Sequence, residues 1–172
     1  MVDLEGTIAL AKKHNILTVV DNTFSTPFLQ SPLLLGADIV YNSCTKYIGG
    51  HSDVVMGALV LNDKEVYDKL FLISCSIGAN PSPFDCFLMN RGIKTLEVRV
   101  TKATHNAYHL AHFMQKSENI DEVIYPGLKS HPQHEFAKKQ MRGFGGMISF
   151  RIKGGKEQVS KFLKAVKVFT LA

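Results

Sequence analysis

The run Ser43-Cys44-Thr45-Lys46 sets two hydroxyls just ahead of a primary amine, with Lys46 twenty-five residues after Asp21. Hydroxyls can hold a phosphate, while the amine can condense with an aldehyde. Asp21 ends the apolar stretch Ile16-Leu17-Thr18-Val19-Val20. A carboxylate at the carboxyl end of a buried strand can reach a protonated ring nitrogen. Lysine, carboxylate and hydroxyls are the protein groups that pyridoxal phosphate requires. Lys46, Asp21, Ser43 and Thr45 are therefore the candidate site, with Thr23 expected near the ring. The same residues also have plainer readings: a solvated surface lysine, hydroxyls of a turn or cap, and a carboxylate capping the next segment.

The elements that must position these groups alternate in type. Residues 4–14 read as a helix capped by Asp3. The apolar run 16–20 has the length and continuity of a parallel strand covered on both faces. Strands are expected at 37–41 and 55–61 and a helix at 64–73, with Pro81 and Pro83 breaking the chain before a shorter helix. Over residues 95–116, Leu96, Val100, Ala103, Ala107, Leu110, Ala111 and Met114 form one stripe of a long helix. Beyond it come a strand (123–125), a helix started by Pro132, a strand (147–152) and a helix (157–166). The run 168–172 reads as the start of another strand.

Composition narrows the function classes. The chain has 172 residues, 45% of them hydrophobic and 20% charged, which is globular rather than disordered. No apolar run reaches membrane-spanning length, and no signal segment opens the chain. The net charge of +5 comes from lysines scattered along helix faces, without the arginine-rich or aromatic-basic pattern of nucleic-acid binding. Cys44, Cys75 and Cys86 lack metal-type pairing and suit a reducing cytoplasm. His51 and Asp53 alone do not make a metal site, and no metal is expected. Gly143, Gly145 and Gly146 read as a turn before a strand, His131 and His134 as surface or interface groups, and Cys44 as a small packed side chain.

The longer pattern sharpens the expectation. Val20-Asp21-Asn22-Thr23-Phe24, Leu35-Gly36-Ala37-Asp38-Ile39-Val40-Tyr41 and Ser43-Cys44-Thr45-Lys46-Tyr47-Ile48-Gly49-Gly50-His51 resemble the Cys/Met-metabolism family of pyridoxal-phosphate enzymes. So do Asn90-Arg91-Gly92-Ile93-Lys94-Thr95-Leu96 and Tyr125-Pro126-Gly127-Leu128-Lys129-Ser130-His131-Pro132. The resemblance covers nearly the whole chain.

It implies an α/β, type I pyridoxal-phosphate transferase fold in part. Residues 1–116 would belong to the large cofactor domain with its linking helix, and 117–172 would begin the small C-terminal domain. Lys46 would carry the cofactor, Asp21 would hold the ring nitrogen, and Ser43 and Thr45 would bind the phosphate. The implied reaction is a γ-elimination on cystathionine, a small amino-acid substrate, yielding cysteine, 2-oxobutanoate and ammonia. γ-Synthase, methionine γ-lyase and homoserine-ester sulfhydrylase reactions use the same cofactor groups. The whole enzyme would be a cytoplasmic homotetramer. Family members are longer, so the chain reads as an internal piece of such an enzyme. A glycine-containing phosphate loop, a stacking aromatic, and a tyrosine and arginine from a neighbouring subunit would precede Met1. A carboxylate-binding arginine would follow Ala172. By itself such a piece is expected to be inactive, or to act only as an interaction partner.

Overall fold

Asp3 starts the first helix by accepting the Gly6 N–H at 2.9 Å, so α1 spans Leu4–Lys13. It leads into β1 (Val19–Asp21), then a short helix α2 (Thr26–Leu29) and a 3-10 turn at Pro32–Leu35. β2 (Ile39–Ser43) lies parallel to β1, in the register Val19↔Ile39 to Asp21↔Tyr41. β3 (Gly57–Leu61) returns antiparallel to β2, with Ser43 opposite Gly57. The computed structural model describes residues 1–169.

α1 covers one face of this three-stranded sheet, where Leu4, Ile8 and Ala37 pack with Val20 and Leu35. The expectation of a strand covered on both faces fails for β1. Ile16, Leu17 and Val19 are all exposed, and α1 packs on the Val20 side, opposite the face that Val19 and Asp21 share.

Asp63 caps α3 (Lys64–Ile77), which ends at Gly78 in the left-handed region, four residues later than its pattern suggested. Its apolar side chains Tyr67, Phe71, Leu72, Ile73 and Ile77 are exposed. Ser82 caps α4 (Pro83–Gly92), and a 3-10 turn at Ile93–Thr95 joins it to α5 (Leu96–Met114). The expected stripe of α5 is its buried face: Leu96, Val100, Ala107, Ala111 and Met114 are buried. Its first half packs with Leu29, Phe28 and Tyr47, and its second half with Tyr125 and Leu128.

The second sheet pairs β4 (Ile120–Ile124) antiparallel with β5 (Ser149–Ile152). α6 (His134–Gln140) begins two residues after Pro132, which lies in the preceding turn, and α7 (Gly155–Ala165) closes the described elements. Of the strand expected at 168–172, Val168 and Phe169 form a bend, and 170–172 lie outside the described residues. The chain's second half clasps its first. Arg142 donates to the Phe28 and Pro27 carbonyls at 2.7 Å each, and Gln140 donates to Gln30 at 3.0 Å.

Candidate active site

Because β1 and β2 run parallel, their carboxyl ends lie side by side, and the chemistry-bearing residues sit there. Asp21 is the last residue of β1, Ser43 is the last of β2, and Lys46 follows in the turn. Asp21 Oδ1 accepts the Thr23 N–H at 2.9 Å, forming a local turn that fixes the carboxylate at the strand end. The Thr23 hydroxyl in turn accepts the Ser43 N–H at 2.8 Å. Thr23 is buried, so its hydroxyl ties the two strand ends together.

The hydroxyls of Ser43 and Thr45 differ. Thr45 Oγ1 accepts the Met56 N–H at 3.0 Å, and the Thr45 N–H donates to the Met56 carbonyl at 3.2 Å. This staples the lysine turn to the residue preceding β3. Ser43 Oγ has no hydrogen-bond partner among the described residues, which leaves it free to donate. Lys46 is exposed, and its Nζ makes no hydrogen bond or ion pair among the described residues. A cavity of about 800 Å³ reaches Asp21 at the end of β1 but none of the other four candidates, and one of about 650 Å³ lies away from all five. In this chain the amine therefore stands on an open edge.

The turn that carries Lys46 is held from outside by a residue that the sequence did not single out. Arg99, on α5, donates from Nη1 to the Tyr47 carbonyl at 2.6 Å. From Nη2 it donates to the Ile48 carbonyl at 3.2 Å and the Gly92 carbonyl at 2.9 Å. Nε donates to Thr95 Oγ1 at 3.0 Å. A planar guanidinium can serve several acceptors at once, which an ammonium cannot. Gly92 is required where it packs under this turn, because a Cβ there would lie 2.5 Å from the Gly49 carbonyl. The glycine pair Gly49-Gly50 was the one signal in the sequence that could have pointed to a close approach.

The other singled-out residues have structural partners. The Cys44 thiol is buried among Ile48, Val54 and Met89, and burial raises its pKa, which disfavours the nucleophilic thiolate. His51 Nδ1 donates back to the Gly49 carbonyl at 2.7 Å. His134 donates to the Pro126 carbonyl at 2.7 Å and stacks on Phe144, while His131 accepts the Gln133 N–H at 3.1 Å. Gly145 precedes β5 with φ 75, and its carbonyl accepts the Tyr125 hydroxyl at 2.9 Å. Among the described residues no three His, Cys, Asp or Glu side chains converge as a metal site, and no helix is long and apolar enough to cross a membrane.

A carboxylate, a free hydroxyl and a lysine amine at the carboxyl edge of a parallel strand pair define a class, the α/β enzymes that use pyridoxal phosphate. The chain belongs to the Cys/Met metabolism PLP-dependent enzyme family, which it matches over residues 1–172. It is 51% identical to the cystathionine gamma-lyase of Dictyostelium discoideum over 172 residues, covering 100% of this chain and 44% of that protein. It is 49% identical to the cystathionine beta-lyase of Lactococcus lactis, covering 100% of this chain and 45% of that protein. The crystal structure of cystathionine gamma synthase from Xanthomonas oryzae in complex with cystathionine superposes with a TM-score of 0.96 at 45% identity, over 100% of this chain and 44% of that one. The chain thus spans less than half the length of these relatives. Its fold is the corresponding part of the α/β fold of pyridoxal-phosphate transsulfuration enzymes, and pyridoxal phosphate is the family's cofactor.

Proposed function

We propose that this chain supplies the lysine-bearing half of a cystathionine γ-lyase-like active site, in an enzyme that cleaves cystathionine to cysteine, 2-oxobutanoate and ammonia. The observation that carries the reading is the alignment of Asp21, Ser43 and Lys46 at one edge of two parallel strands. The donor set fits pyridoxal phosphate: among the described residues the lysine amine and the serine hydroxyl have no partner, and Asp21 Oδ1 alone is bonded, to the Thr23 N–H. When bound, the cofactor supplies an electron sink for the carbon next to the substrate's amino group.

Each residue then has a defined task. Lys46 Nζ would hold the cofactor through its aldehyde carbon and would serve as the base that moves a proton at the substrate's α-carbon. Asp21 would favour a protonated ring nitrogen by presenting a fixed negative charge, and Ser43 Oγ would donate to the phosphate. Thr45 Oγ1 accepts the Met56 N–H at 3.0 Å and donates to the Met56 carbonyl at 3.4 Å, so it would give up that longer bond to donate to the same phosphate. Thr23 holds the ring-facing and phosphate-facing strand ends at a constant spacing.

In this reading residues 1–116 form part of the cofactor domain with its linking helix, and 117–172 begin the second domain. The complete enzyme is a cytoplasmic homotetramer, and the chain alone does not turn over cystathionine. Relatives with β-lyase and γ-synthase names keep neighbouring reactions as the alternatives, together with methionine γ-lyase and homoserine-ester sulfhydrylase chemistry. The exposed apolar side chains of β1 and α3 favour a second role, association with other chains without catalysis.

A chimera tests the proposal: residues 1–172 replace the matching segment of the Dictyostelium enzyme. Borohydride reduction and peptide mapping should put the pyridoxyl group on Lys46, and the chimera should release cysteine from cystathionine. Attachment at another lysine would refute the site. Attachment at Lys46 with turnover only of a homoserine ester would retain the site and refute the reaction.

A further inference from the structure

α5 turns a second set of side chains away from its buried stripe. His105 and His109, one helical turn apart, are both exposed. Their Nε2 atoms lie 3.1 Å apart, with ring centroids 4.4 Å apart and planes tilted by 56°. Neither imidazole is ion-paired among the described residues. Two imidazole nitrogens, each about 2.05 Å from a shared metal ion, are separated by 3.1 Å when they subtend roughly 98° at the metal. That angle lies between the cis angle of a tetragonal site and the tetrahedral angle, so the pair is pre-spaced for chelation.

We propose that His105 and His109 form a chelating site for a divalent transition-metal ion of the copper, nickel or zinc type. Neutral imidazoles select these ions over magnesium or calcium, which require oxygen ligands. In the metal-free pair one Nε2–H points at the other ring's Nε2. Metal binding moves that proton to Nδ1 of its own ring, so both rings offer a lone pair and stay uncharged. Water completes the coordination. His112 stands apart, with its Nδ1 donating to the Tyr108 carbonyl at 2.9 Å and its ring against Tyr108 at 4.2 Å. Since the first imidazole tethers the ion beside the second, losing either ring converts a chelate into a single contact. The site is independent of the lysine edge and of the cofactor reading.

The experiment is electron paramagnetic resonance of the untagged chain, thiols alkylated, with one equivalent of Cu²⁺ alone. The expected spectrum has hyperfine coupling to two imidazole nitrogens. His105→Ala and His109→Ala should each abolish the two-nitrogen pattern and weaken Cu²⁺ binding at least about tenfold. His112→Ala should leave both unchanged. Alanine is the best helix former, so circular dichroism should report an intact α5 in each variant, and His109→Gln gives a second, polar replacement. A two-nitrogen spectrum that survives in the double variant His105→Ala/His109→Ala would overturn the proposal, as would a wild-type chain that binds no Cu²⁺ or binds it through one nitrogen.

Discussion

Replacing Arg99 by Met should unlock the turn that carries Lys46 while leaving the rest of α5 in place. Two of the four hydrogen bonds of Arg99 end on carbonyls of that turn, Tyr47 O at 2.6 Å and Ile48 O at 3.2 Å. A hydrogen bond from a charged donor contributes roughly 1.5–3 kcal/mol, and partial exposure places these two at the lower end, so the turn should lose about 3 kcal/mol. At 1.36 kcal/mol per factor of ten, that is roughly a 150-fold increase in local opening. Native-state hydrogen exchange reads this directly, because the Gly50 N–H is bonded to Lys46 O at 2.8 Å and the Gly49 N–H to Cys44 O at 2.8 Å. Both amides should exchange on the order of a hundredfold faster in Arg99→Met, while amides within α1 keep their rates. Arg99→Lys retains the charge but reaches fewer of the four acceptors, so it should recover only a minor part of the protection. Unchanged Gly49 and Gly50 protection in Arg99→Met, or full protection in Arg99→Lys, would refute the idea that a planar guanidinium braces this turn.

In the chimera, Asp21→Asn should keep the cofactor but lower turnover by orders of magnitude, read as kcat, because the ring nitrogen loses its anionic partner. Ser43→Ala should weaken cofactor affinity roughly tenfold to a hundredfold, as measured by absorbance titration, since it removes one hydrogen bond to a charged group. Tyr125 should be the last tyrosine to ionise in an ultraviolet pH titration. Burial first, then the neighbouring Tyr47 and Tyr108, push it up to about 12. A raised folded value means that its stabilising contribution is complete below the ordinary value of 10.0 and is lost as pH climbs through about 12. Asp38 behaves oppositely. The Thr18 hydroxyl and backbone N–H both donate to it at 2.7 Å and hold its pKa below 3.8, so that stabilisation is present above 3.8 and fades as pH falls through the folded value. Thr18→Val removes the hydroxyl bond but keeps the backbone one, so it should reduce this acid-side dependence in a denaturation series, and an unaltered pH profile would contradict the assignment.

The sequence by itself determined everything that rests on near neighbours. A carboxylate at the end of an apolar run, hydroxyls beside a lysine, Asp3 ahead of the first helix, and a 3.6-residue stripe along α5 are local patterns, and local patterns are written contiguously. Tertiary structure decided what depends on distant chain meeting. Side-by-side strand ends require β1 and β2 to pair in parallel, and Thr23 acquires its role only because Ser43 N–H arrives from twenty residues away. The bracing role of Arg99 stayed unseen because the two acceptors it reaches in the lysine turn are backbone carbonyls some fifty residues distant, and a carbonyl has no letter in the sequence. The direction of β3 was likewise undetermined, because period-two patterning is the same for parallel and antiparallel pairing. The apolar run ending at Asp21 announced a strand covered on both faces. Covering also needs a second layer of chain, and only folding revealed that α1 supplies one layer and leaves Ile16, Leu17 and Val19 in the open.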